Sequence, residues 1–63
     1  MKQIGGEQSA LYALSAEELA RLTQAVALGL LPAPGAIHPE GTTGALVRFT
    51  SPAEARRAQA HIA

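Results

Sequence analysis

The chain predicts a small α+β domain: a two-layer arrangement of one antiparallel sheet with two helices on one face, in the order ββαββα. Three observations carry this expectation. Serine-led helix starts stand at Ser15 and Ser51, an extended run precedes each of them, and a loop rich in glycine or proline precedes each of those runs. Residues 1–63 read as a single domain, because a chain this short buries only about 60% of the surface its unfolded form exposes.

Met1 to Ile4 is the first strand candidate, set off by Gly5-Gly6 from a second, Ser9 to Leu14. In Ser15-Ala16-Glu17-Glu18 a hydroxyl at the cap and a carboxylate three residues later can satisfy two otherwise orphaned amide donors. The first helix therefore starts at Ser15. Leu14 and Leu19 can staple its entry, and Leu19, Leu22, Val26 and Leu30 recur near the helical period as its apolar face. Gly29 suits the left-handed residue that closes a helix, and Pro32 and Pro34 forbid continuation, so the helix ends near Leu28. Leu31 to Gly35, with two prolines bracketing Ala33, reads as a stiff exposed connection.

Ala36 to His38 is the third strand candidate and Pro39 to Gly44 the loop after it. Gly44 to Thr50 is the fourth, with Val47 and Phe49 at strand period. Ser51-Pro52-Ala53-Glu54 repeats the helix opening with proline at the first helical position, and the second helix runs from Pro52 nearly to the end. Its one large apolar residue is Ile62, with Ala55 and Ala58 on the same side, so it can lie close to a neighbour at modest transfer energy.

The two halves look alike. Ser9-Ala10-Leu11-Tyr12-Ala13-Leu14 before Ser15 parallels Gly44-Ala45-Leu46-Val47-Arg48-Phe49 before Ser51; Arg21 aligns with Arg57, and Ile4 and Glu7 with Ile37 and Glu40. Either the chain is a duplicated ββα unit or two capped, alanine-rich helices behind strands align by chance. The order ββαββα is a circular permutation of the ferredoxin-like arrangement. In this alignment Ala10, Tyr12, Leu14, Ala45, Val47 and Phe49 face the helices, and Leu11, Ala13, Leu46 and Arg48 lie on the opposite face.

Composition makes that opposite face important. The hydrophobic fraction is 48%, yet alanine supplies 14 of those residues, so large apolar side chains are few. With no cysteine there is no disulfide and no thiolate metal site, which leaves association as the remaining way to stabilise a miniature domain. Five basic and five acidic residues give a net charge of zero, without the broad positive field that draws nucleic acid or anionic membranes. The longest apolar stretch, Ala25 to Pro34, falls far short of the roughly 20 residues that span a bilayer. No signal-peptide core follows the first lysine, so a soluble, cytoplasmic protein is expected. Its alanine, leucine and arginine richness suggests a GC-rich bacterial or phage source.

Residue types able to do chemistry are present without the spacing that chemistry needs. His38 and His61 have no second ligand at metal spacing, Ser15 and Ser51 serve as caps, and Glu17 and Glu18 complement a helix dipole. The loop from Glu40 to Gly44 lacks the lysine of a phosphate-binding loop. The expectation is no enzyme, no cofactor, no metal and no small-molecule substrate.

Gly44 to Ala55 resembles the third strand and second helix of an RNA recognition motif, and Leu11-Tyr12-Ala13 is similar to that family's first-strand signature. The resemblance covers about half the chain and implies Tyr12 as a base-stacking aromatic on an open sheet face. Gly44 and Leu46 stand where that family places its other stacking aromatics.

The leading expectation is a noncatalytic protein–protein interaction module, a small regulator or assembly component, forming a homo-oligomer or binding another protein through Leu11, Ala13, Leu46 and Arg48. The alternative is a nucleic-acid-binding regulator using Arg48, Arg56 and Arg57, which could equally touch an acidic partner.

Overall fold

In a computed structural model describing residues 1–62, the elements are β1 (Lys2–Ile4), β2 (Leu11–Ser15), α1 (Ala16–Ala27), β3 (Ala36–Pro39), β4 (Gly44–Arg48) and α2 (Pro52–Ile62). They follow the expected ββαββα order, and the four strands make one antiparallel sheet in the order β1-β2-β4-β3. All four strands differ slightly in extent from the expectation: β1 starts at Lys2, β2 runs Leu11–Ser15 rather than Ser9 to Leu14, β3 continues to Pro39 and β4 stops at Arg48. The late start of β2 follows from loop hydrogen bonds. The Ser9 hydroxyl accepts from the Leu11 amide, and the Ser9 amide donates to Gly6.

The central ladder has a local two-fold relation. Leu11 pairs with Arg48, Tyr12 with Val47 and Ala13 with Leu46. Moving from Leu11 to Leu46 and from Arg48 back to Ala13 exchanges the first and last pairs and returns the middle one, so the halves are equivalent about Tyr12–Val47. The outer strands keep the relation with Lys2 opposite Ala13 and Ala36 opposite Arg48. That makes His38, not Ile37, the counterpart of Ile4. The expected match of Ile4 to Ile37 is off by one because the second hairpin has one more residue between paired positions. A one-residue slip reverses the face, so Ile4 lies on the open face while Ile37 points to the helix side of edge strand β3, 43% exposed.

Alternation along β2 and β4 puts Tyr12, Leu14, Ala45 and Val47 on the helix-covered face, all buried. Phe49 joins them, its ring edge-on to Tyr12 with centroids 5.8 Å apart and planes at 79°. Leu22 and Ala25 of α1 and Ala55, Ala58 and Ile62 of α2 close the core from above. Tyr12 is thus a core side chain. The base-stacking position implied by the resemblance to an RNA recognition motif is not available to it.

Ser15 caps α1 with the full reciprocal box: its hydroxyl accepts from the Glu18 amide at 3.1 Å, and Glu18 Oε1 accepts from the Ser15 amide at 2.9 Å. At the other end Gly29 has φ 77°; its amide donates to Val26 and that of Leu30 to Ala25, a Schellman closure. Leu30 consequently falls outside the helix and outside the expected apolar stripe, 52% exposed. Leu31 turns inward and is 7% exposed, so the connection expected to be exposed anchors itself in the core at its first residue. The second box is half made. The Ser51 hydroxyl accepts from the Glu54 amide at 3.2 Å, but the Glu54 carboxylate turns toward Arg57, 3.7 Å away, instead of back to Ser51.

Candidate docking surface

With both helices on one side, the other face of the sheet is left to solvent, and the ladder register fixes what it displays. Odd positions of β2 and even positions of β4 point there, giving Leu11, Ala13, Leu46 and Arg48, the residues expected from the sequence. The outer strands add Lys2 and Ile4 from β1 and Ala36 and His38 from β3. The side chains form two cross-strand rows: Ile4, Leu11, Arg48, Ala36 and Lys2, Ala13, Leu46, His38.

The centre of this surface is apolar and tightly spaced. The Phe49 amide donates to Ala10 and the Ala16 amide to Thr43, both in register with Tyr12–Val47. These are the hydrogen-bonded positions, so Leu11–Arg48 and Ala13–Leu46 are the alternate, non-hydrogen-bonded pairs, whose Cα atoms approach to about 4.5 Å. Leu11, Ala13, Leu46 and Ile4 are half-buried. Gly44 permits this close approach at the ladder's end, since a Cβ there would run into the Leu14 carbonyl.

Charge is segregated in the same pattern. No strand contains an acidic residue; the acids lie in the hairpin loops (Glu7, Glu40) and on the helices (Glu17, Glu18, Glu54). The open face carries the cations Lys2 and Arg48 and the imidazole of His38, all exposed, with Glu40 at its corner, where its amide donates to Gly44 in the β3–β4 register. On the helix side, Arg21 meets Glu17 at 3.8 Å and Arg57 meets Glu54 at 3.7 Å. The terminal ammonium of Met1 pairs with Glu18, and that hydrogen bond, followed by the one from the Ser15 amide, holds the Glu18 carboxyl below the ordinary carboxylate range.

Arg56 and Arg57 are exposed on α2, on the helix layer, whereas Arg48 projects from the opposite side of the sheet. The three arginines that the sequence suggested as one basic concentration are therefore divided between two faces. The cause is strand parity: Arg48 is one residue from both Val47 and Phe49, which point inward. Lys2, Ile4, Ala36 and His38 were not among the expected surface residues. The length of each hairpin loop was the signal that could have placed them, but a loop length fixes register only once its turn geometry is known.

The other places where chemistry could gather are sparse. Among the described residues no three His, Asp or Glu side chains come together as a metal site. His38 and His61 lie on β3 and α2. The hydroxyls of Ser15 and Ser51 are engaged as caps, as expected. A shallow apolar groove of about 210 Å³ runs between α1 and β3, lined by Leu22, Val26, Ala33, Pro34 and Ile37. No helix is long and apolar enough to cross a membrane. In comparisons with known proteins, no family model, no curated protein and no solved structure matches the chain.

Proposed function

We propose that this chain is a noncatalytic protein–protein interaction module, a small regulator or assembly component that docks another protein, or a second copy of itself, through the open face of its sheet. The observation that supports this reading is the placement of Ile4, Leu11, Ala13 and Leu46 together on the side of the sheet that neither helix covers. An uncovered apolar centre with a polar margin is the pattern of an interface rather than of a monomer's outer surface. A cytoplasmic location fits the reading. The nucleic-acid alternative through Arg48, Arg56 and Arg57 is less well supported, because those side chains do not share a face.

The test is whether the two leucines serve folding or docking. Urea unfolding of dilute protein should show Leu11→Gln and Leu46→Gln each within about 1 kcal/mol of the parent chain, as for surface positions. Leu22→Ala, at a site 1% exposed, should cost about 2 to 5 kcal/mol. Equal costs at all three positions would make the leucines structural and overturn the reading.

A further inference from the structure

We infer that the occupant of the open sheet face is an acidic protein segment with apolar side chains among its carboxylates, rather than a second copy of this chain or a nucleic acid; this rests on the docking reading and names its partner. The chain as a whole is neutral, yet the open face carries Lys2 and Arg48 against Glu40 alone at its corner, so it is positive against a balanced molecule. The helix-side arginines Arg21 and Arg57 are matched by Glu17 and Glu54, but Lys2 and Arg48 enter no ion pair among the described residues. Glu40 is the acid at the corner of this face: its amide donates to the Gly44 carbonyl in the β3–β4 register, in line with Ala36 and His38, and it forms no ion pair with Lys2 or Arg48 among the described residues. A partner with carboxylates around an apolar centre would complement both features of the surface at once.

Two alternatives fit less well. A second copy placed face to face would bring another Lys2 and Arg48 to a surface that already holds the same two cations, and like charges across an interface oppose assembly. Its area is also small. Four strands at about 4.8 Å spacing and some five residues long make a face of roughly 19 by 17 Å, well under the ~800 Å² per partner of a standard interface. Such a patch suits a transient contact that electrostatics strengthens. Nucleic acid would want stacking aromatics, but the single Tyr and single Phe of the chain, Tyr12 and Phe49, are both in the core.

The experiment is an amide NMR titration of the full chain with two synthetic peptides. One repeats paired glutamates and paired leucines; the other has lysine in place of glutamate. The acidic peptide should shift the amides of Ile4, Ala13, Leu46 and Arg48. That binding should weaken roughly tenfold, about 1.4 kcal/mol, in the Lys2→Glu/Arg48→Glu variant, whose fold is checked by circular dichroism. It should also weaken as salt is raised. Equal binding of both peptides at those amides would overturn the acidic partner and leave sheet-face docking standing. Shifts confined to α2 would overturn both. No shift with the acidic peptide overturns the inference alone. Tighter binding of an oligothymidylate at the same amides would assign the face to nucleic acid. Concentration-dependent shifts there without any peptide, growing stronger with salt, would assign it to a second copy.

Discussion

A few side chains decide how the ends of the elements meet, and Glu18 carries the largest share. It closes the α1 capping box through Oε1 and receives the terminal ammonium of Met1 through Oε2, thereby holding β1 to the start of the helix. Because both interactions favour the carboxylate, its folded-state pKa lies below the ordinary value of 4.5. A group depressed in this way contributes stability that is present above its unfolded pKa and lost as pH falls through the folded value. Thermal melts from pH 7 to pH 3 should show stability falling below about pH 4. Glu18→Gln should be less stable at pH 7 and show a flatter acid limb. A variant with an unchanged acid limb would contradict the assignment. At this scale the sequence was readable: Ser15, Glu18 and Gly29 announced their roles by spacing alone. The engagement of Glu18 by Met1 was not, since it joins positions far apart in the chain.

The elements reveal how a core built on alanine is made to close. Ala55 is 0% exposed and Ala58 2%, so α2 seats small side chains against the core, with Ile62 as its one large anchor. Ala58→Leu should therefore lift the helix and cost about 1 to 3 kcal/mol by overpacking, read in urea unfolding. A neutral result would mean that α2 is not seated as described. The order of elements and the inward positions of β2, β4 and α2 were legible because capping boxes and alternation are local signals, whereas on α1 the expected stripe included Leu30, which lies outside, and missed the buried Ala25. The edge strands were legible only as strands. Their register depends on hairpin loops of unequal length, and that one-residue difference exchanged the roles of Ile4 and Ile37. Leu31 escaped for a related reason: nothing local in Leu30-Leu31-Pro32 says which leucine turns inward, and the Schellman closure at Gly29 decides it.

At the scale of the whole molecule, two small helices can cover one side of a four-stranded sheet and no more. Leu11, Ala13, Leu46 and Arg48 were foreseeable as the centre of the uncovered side from period-two alternation, and the structure places all four there. Assigning Arg56 and Arg57 to the same basic patch failed because sequence proximity to Arg48 says nothing about which layer a helix joins. The account stands on that face being open in a single copy. Solvent paramagnetic relaxation of methyl groups in dilute, monomeric protein measures this directly: the Leu11, Leu46 and Ile4 methyls should relax strongly and those of Leu14, Leu22 and Ile62 weakly. Leu11 and Leu46 methyls as protected as those of Leu22 would contradict it.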